Sequence, residues 1–412
     1  MQARTSMATG ALLLATLGSA LLAGLSACAG TGAADGEHES PPPAAEGALR
    51  PAPPAPAAAS ADLGMPYVYT EWEQITTADG LPNDHIFAVR VAGDDVWVGT
   101  EGGLARVDAR TREIQAWREE DGLPWRVISG VDVDPETGDV WLALFGGGLA
   151  RLSGGRFEHW HQLNSGLVND VVYAVCVENR NVWAATTAGA SRLNTITGEW
   201  TIFTEKNAPM EEIWNYGCSY ADGLVYLAVW GSGILEYDVE RGTWNEYLDP
   251  DGEMEIDLYR DDGIVHVITT GVHYIDKVLW VTSYFGASRY DGRHWRGYYK
   301  SETGIPSDFH NGLRARGANE AWFCTDQGLA VLADFESDTW VTYTTDHATH
   351  RGQAVVRRGA EVLCELETPP NIPHEFVQSA DFHGSDAWVG TSKGLGHAIG
   401  TGYYLGLRPA AR

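Results

Sequence analysis

The chain reads as an all-β protein, a seven-bladed β-propeller closed by an N-terminal strand, on three observations. One stretch, Val96-Trp97-Val98-Gly99-Thr100-Glu101-Gly102-Gly103-Leu104, returns at 141–149, 183–190, 226–234, 280–287, 322–329 and 388–395, seven copies in all. A second series, Trp72, Trp117, Trp160, Trp200, Trp244, Trp295 and Trp340, runs in step with it at spacings of 45, 43, 40, 44, 51 and 45 residues. Together the two series use 13 of the 16 tryptophans, a phasing that an unrepeated β-sandwich does not produce. Third, each copy follows its aromatic strand with a glycine: Gly103, Gly189, Gly286, Gly328 and Gly394, or Gly148 and Gly233 one residue later. A tight turn between antiparallel strands needs positive φ, which glycine adopts without a side-chain clash. A repeat of this length with about four short strands is a propeller blade.

Ahead of the repeats, residues 1–27 carry Arg4 and an uncharged Ala/Leu-rich run ending in Leu25-Ser26-Ala27-Cys28. That is a signal-peptide core, and it resembles the bacterial lipoprotein type, which implies lipid on Cys28 as the mature N-terminus. Ala29 in the second position then points to the outer membrane, facing the periplasm. Residues 28–64 are Ala, Pro, Gly and Glu with almost no large apolar side chain, so they form a loose tether. Stretched out, it reaches on the order of 120 Å. The propeller occupies 65–412.

Tyr67 to Trp72 reads as an outer strand that precedes any inner one, and it is the preferred closing strand. Tyr403-Tyr404-Leu405-Gly406-Leu407 is its rival. Within a blade, a turn such as Asp79-Gly80-Leu81-Pro82-Asn83 leads to the innermost strand, Ile86 to Val91. The Trp97 strand, Leu104 to Val107 and Ile114 to Trp117 follow. An insertion at 344–373 contains a hairpin and is expected beside the channel mouth, where it would either leave the mouth open or plug it. Arg106, Arg151, Arg192 and Arg289, on third strands, are expected to pair with acids of neighbouring blades. Cys176, Cys218, Cys324 and Cys364 read as buried thiols, although an exported protein permits Cys176–Cys218 or Cys324–Cys364 disulfides.

Gly80-Leu81-Pro82-Asn83 before an inner strand, then Trp97-Val98-Gly99-Thr100, Gly103-Leu104 and Arg106, resemble the two-component regulator propeller repeat. The copy from Trp388 to Leu395 matches well and the fourth and fifth are degenerate. The resemblance covers residues 70 to 400. In that family the propeller is usually the periplasmic sensor of a histidine kinase. This chain shows no later membrane helix and no kinase part. The resemblance therefore implies the fold and a sensing or binding role, in a stand-alone exported lipoprotein form, and does not imply kinase activity.

Charge narrows the function further. With 56 acidic against 28 basic residues, the formal net charge is −28. Such a field repels nucleic acid and anionic lipid, leaving the lipid anchor as the membrane contact. No hydrolase serine motif, phosphate loop or paired-cysteine zinc motif is present, so no catalytic, metal or cofactor residues are assigned. The remaining site is the channel mouth. Aligned copies bring His85, Arg126, Asp170, Trp214, His266, His310 and His374 to the turns before the innermost strands, with Asp84, Glu212, Asp308 and Glu375 beside them. They are the candidate binding residues for a small molecule, a peptide or another envelope protein. The alternative class is a propeller enzyme, a lyase or a quinone-dependent dehydrogenase, with these histidines as acid–base groups.

The Cys28 assignment is checked by mass spectrometry of the mature N-terminus, which should be a diacylglyceryl cysteine. A mature chain that starts elsewhere, or a Cys28→Ala protein that stays on the membrane, would remove the anchor.

Overall fold

The computed structural model describes residues 67–251, 261–346, 348–349 and 351–400. Cys28, the tether and the rival strand at 403–407 lie outside these residues. The described strands form seven antiparallel sheets, six of four strands and one of six. Blade one runs outward through Ile86–Ala92, Asp95–Thr100, Gly103–Asp108 and Ile114–Trp117. Blades two to six repeat that order from innermost strands Ile128–Val133, Val172–Glu178, Asn215–Ala221, Thr269–Ile275 and His310–Ala315. Blade seven has three strands of its own, from innermost Val377–His383 to Gly394–Ala398, and takes its outer strand from Trp72–Ile75. That strand pairs Trp72 with Ala398 and Ile75 with Leu395, so the N-terminal side of the propeller closes the ring. No helix among the described residues is long and apolar enough to cross a membrane.

The repeated stretch builds the middle of each blade. Its first aromatic is buried between neighbouring sheets: Trp141, Trp183, Trp280, Trp322 and Trp388 are each 1% exposed or less. The second tryptophan series stacks outside it, with Trp97–Trp117 and Trp141–Trp160 ring centroids 5.8 and 5.2 Å apart. At the turn, Thr100 Oγ1 donates to the Gly103 carbonyl at 2.8 Å, a bond repeated by Thr186, Ser283, Thr325 and Thr391. Gly103 has φ +145°, and a Cβ there would run into the Trp117 carbonyl. The glycine of the motif is thus required by both conformation and space.

Every innermost strand opens with a β-bulge after its first residue. The extra residues are Phe87, Ser129, Tyr173, Tyr216, Thr270, Asn311 and Gln378. A bulge re-aims a side chain without ending the sheet. Three residues further on lies a second ring: Arg90, Asp132, Cys176, Ser219, His273, Arg314 and Asp381. Several of these bind the next blade's backbone. Asp381 accepts from Val91 N–H, Asp132 from Val177, Ser219 from Tyr274 and His273 from Ala315, at 2.8 to 3.1 Å. Arg314, Asp381, Arg90 and Asp132 also form an alternating ionic chain across blades six, seven, one and two. Its contacts measure 3.0, 3.7 and 2.8 Å.

Two sequence expectations change. The 344–373 insertion does form a hairpin, but Arg351–Arg358 pairs with the outer strand Thr339–Asp346, and Glu361–Thr368 pairs beyond it. These become the fifth and sixth strands of blade six. At normal strand spacing they stand roughly 19 Å and more from its innermost strand, so the hairpin extends the rim and neither flanks nor plugs the mouth. The third-strand arginines serve chiefly their own blades: Arg106 pairs with Asp95, Arg151 with Asp139 and Glu158, and Arg192 lies over Trp183. Only Arg289 reaches across, to the Ala318 carbonyl and the Phe335 ring. As read from the sequence, Cys176, Cys218, Cys324 and Cys364 are free thiols, Cys176 and Cys324 buried and Cys218 and Cys364 half-buried, and Cys176 packs with Cys218 between blades three and four.

Removing residues 67–75 should leave Gly394–Ala398 with an unpaired edge and blade seven with three strands. A lower melting temperature and association in solution are expected, measured by calorimetry and light scattering. A truncated chain that melts like its parent would show that another segment closes the ring.

Candidate binding site at the channel mouth

An innermost strand is flanked by neighbouring blades on both faces, so exposure there is exposure to the central channel. Six of the seven bulge residues are partly exposed, Thr270 being the buried one. A second set of side chains reaches the mouth from the turn after each second strand: Glu101, Phe145, Thr187, Trp230, Tyr284, Asp326 and Ser392. Their N–H groups donate to the carbonyls of His85, Val127, Val171, Trp214, Ile268, Phe309 and Phe376 at 2.8 to 3.3 Å. Seven equivalent bonds therefore hold seven side chains around one opening, while the sequence is free to vary their chemistry.

Blades two to five place rings at these positions, and blade six adds Phe309 from the residue before its innermost strand. Phe145 meets Tyr173 edge-on at 5.3 Å, and Tyr173 meets Tyr216 at 4.6 Å. Tyr216 meets Trp230 at 5.6 Å, and Trp230 meets both Trp214 at 6.4 Å and Tyr284 at 5.4 Å. Tyr284 stacks on Phe309 at 3.9 Å. The result is a continuous, half-buried aromatic crescent. Burial holds the Tyr173 and Tyr216 hydroxyls above the ordinary tyrosine pKa and pushes Tyr284 up to about 12. All three therefore stay neutral. The rest of the mouth, on blades seven and one, carries the polar groups Gln378, Ser392, His374, Glu101 and His85.

The seven residues expected from the sequence divide by location. Trp214, 47% exposed, stands in the crescent. His85 stands across from it on blade one, with Nδ1 3.5 Å from Glu101, its ring 4.4 Å from Phe87 and Nε2 buried without a hydrogen bond. Burial lowers its pKa and Glu101 opposes that shift. His266 and His374 belong to the lead-in turns. Their Nδ1 atoms accept from Ile268 and Phe376 N–H at 3.0 Å, the bond that Asn83, Asn169 and Ser307 make in other blades. His374 also meets Ser392 Oγ at 2.9 Å. Asp170 fastens a turn by accepting from Gln162 N–H at 2.7 Å, as Asp84 does from Thr77 and Asp308 from Lys300. Arg126 is exposed on the blade-two turn. His310 is fully buried at the base of blade six, its Nδ1 facing the Asp308 carbonyl at 2.9 Å, and it does not reach the mouth.

The structure thus brings His85 and Trp214 to the opening and assigns His266, His374 and Asp170 to turn geometry. The sequence reading missed Phe145, Tyr173, Tyr216, Tyr284 and Phe309. The signal for the first four was a column, the second residue of each innermost strand or the residue after each second strand; Phe309, one residue before its innermost strand, lies outside it. Trp230 is one of the three tryptophans that fall outside both series.

The sequence matches no protein-family model and no curated protein. Among solved structures, the chain is similar to the extracellular domains of two hybrid two-component system proteins of B. thetaiotaomicron. The TM-scores are 0.58 and 0.57 at 12% and 11% identity, over 80% of this chain in both cases and 42% and 40% of those chains. It therefore spans about two fifths of their length. It is also similar to virginiamycin B lyase of Staphylococcus aureus, with a TM-score of 0.53 at 12% identity over 79% of this chain and 97% of that one. At these identities the likeness is one of fold.

Burial lowers the pKa of His266 and of His310 to about 4. Both are neutral when folded, whereas the unfolded chain takes up a proton at each near pH 6.5. Their contribution to stability is complete above that value and lost as pH falls from about 6.5 to 4, at about 1.4 kcal/mol per pH unit for each imidazole. Denaturant titrations across this range should show a steeper fall for the parent than for His310→Gln. Equal slopes would mean that His310 is protonated in the folded chain.

Proposed function

We propose that this protein is a ligand-binding propeller of the bacterial cell envelope, held to the outer membrane through Cys28 and acting as a sensor or scaffold module, not as an enzyme. The observation that carries the reading is the crescent of Phe145, Tyr173, Tyr216, Trp230, Tyr284 and Phe309, with Trp214 at its edge. A concave, largely preformed and mostly apolar surface with a few polar groups across from it is what small-molecule and peptide sites have in common. The fold likeness to extracellular domains of two-component system proteins supports the same reading.

One observation favours a second reading, a lyase-type enzyme. His85 is the histidine at the mouth with a carboxylate, Glu101, beside it, and a buried imidazole next to an acid can act as a general base. One structure similar in fold to this chain is that of a catalytically inactive histidine-to-alanine variant of the Staphylococcus lyase with quinupristin (TM-score 0.54, 12% identity, 79% of this chain and 98% of that one).

A thermal-shift screen of envelope metabolites and short peptides separates these readings. Compounds that raise the melting temperature of the parent should lose that effect in Trp214→Ala/Tyr284→Ala and keep it in Leu163→Ala, a change at a side chain 93% exposed. Compounds that still stabilise the double variant would place the site on another face. A compound that is consumed by the parent, but bound unchanged by His85→Ala, would favour the enzyme.

A further inference from the structure

We infer that the crescent takes an organic cation, a compact alkylated ammonium head group; the inference rests on the mouth being the binding site. The first support is the shape of the aromatic surface. Trp230 and Tyr284 meet at 82°, Phe145 and Tyr173 at 75°, and Trp214 and Trp230 at 61°. Rings crossing at 61 to 82° make corners that can enclose a compact group, while Tyr284 and Phe309, at 12°, stack on each other. Ring faces carry the negative end of the aromatic quadrupole, so a cage of this kind favours a cation.

The cage also has room for that charge. Arginines lie over Trp141, Trp183, Trp280 and Phe382 elsewhere in the ring, and none of these four belongs to the crescent. The lead-in turns at 165–170, 208–213 and 262–267, on the crescent's central blades, contain no Lys or Arg. The basic rim residues Arg126 and Lys393 belong to blades two and seven.

Two carboxylates complete the site. The Glu212 side chain packs over Gly231, directly after Trp230. Asp326, whose N–H binds the Phe309 carbonyl, has a buried Oδ1 without a hydrogen-bond partner. A buried, unpaired carboxylate oxygen is costly unless a positive charge comes near it. A metal ion fits less well, because no group of three or more His, Cys, Asp or Glu among the described residues is placed to hold one. The net charge of −28 draws cations of any kind toward the opening.

Isothermal titration of the full chain at low salt, with choline and its neutral isostere 3,3-dimethylbutan-1-ol, tests the inference. Choline should bind at least roughly tenfold more tightly, about 1.4 kcal/mol. Added salt and Asp326→Asn should weaken it, and Trp214→Ala, a change at an exposed ring, should weaken it without loss of fold. If both compounds bind equally and the mouth variants weaken both, the preference for a cation is wrong while the binding site stands. Choline binding that Trp214→Ala and Tyr216→Ala leave unchanged puts the cation elsewhere and overturns the assignment. If neither compound binds, the ammonium assignment fails, and the metabolite screen decides separately whether the mouth binds anything.

Discussion

The ring closes inside blade seven, where Trp72–Ile75 pairs with Gly394–Ala398 and no turn joins the two strands, and Asp381 on that blade's innermost strand ties it to both neighbouring blades. Its Oδ2 accepts from Val91 N–H in blade one and faces Arg90, while Oδ1 holds Arg314 of blade six. Its side chain is only 6% exposed. Removing one member of a buried pair costs on the order of 3–5 kcal/mol, because the remaining charge keeps its desolvation penalty without its partner. Here Arg314 would lose its carboxylate, while Arg90 would keep Asp132 at 2.8 Å. The outer end of the same blade carries a second clamp. His397 is fully buried, with one ring nitrogen 2.8 Å from Asp386 and the other 3.0 Å from Glu73 on the closing strand, and Glu73 in turn binds Arg112 of blade one. The inner end of the closing blade is thus tied by charge to both neighbours, and His397 with Glu73 bridges the two strands that no turn connects.

From blade three to blade six the joints are neutral. Blades four to five and five to six are linked at the same ring position by Ser219 and His273 accepting from backbone N–H groups. Blades three and four meet at the thiols of Cys176 and Cys218. Burial and the nearby arginines keep the His273 imidazole neutral, as its acceptor role requires. The ionic half of the ring and the neutral half therefore divide the channel. The aromatic crescent rises over the neutral side and adjoining blades, while His85, Glu101 and Gln378 rise over the ionic side.

Blade number, strand order and closure were legible because each rests on a residue with few substitutes. A positive-φ glycine, a buried tryptophan and a threonine that binds its own turn all leave a fixed period in the sequence. The site was less legible because the lead-in turns attract attention for the wrong physical reason. His266 and His374 stand out among Asn and Ser, yet an imidazole Nδ1 accepts the turn's N–H just as an amide or hydroxyl oxygen does. His310 sits one residue before the bulge, and that single step moves a side chain from the channel into the core. Periodicity identifies the strand, but the bulge decides which residue looks into the mouth.

That same offset explains how a regular fold acquires an irregular site. At the positions that close turns and fill the core, the seven blades keep nearly the same residue. At the bulge they read Phe, Ser, Tyr, Tyr, Thr, Asn and Gln, and at the facing turn Glu, Phe, Thr, Trp, Tyr, Asp and Ser. The ladder and the turn bond are made by backbone, and only some of these side chains bind a neighbouring blade, as Ser129 Oγ does at the Val172 carbonyl and Asn311 Nδ2 at the Val377 carbonyl, so most are free to vary. Symmetry gathers these variable positions around one axis, so substitutions scattered over some 300 residues of chain face one another across a single opening. Apart from Phe87 on blade one, the aromatics collect on blades two to six, which gives the mouth a direction. A ligand held by its head group in the crescent would present its remaining atoms to Gln378, Glu101 and His85.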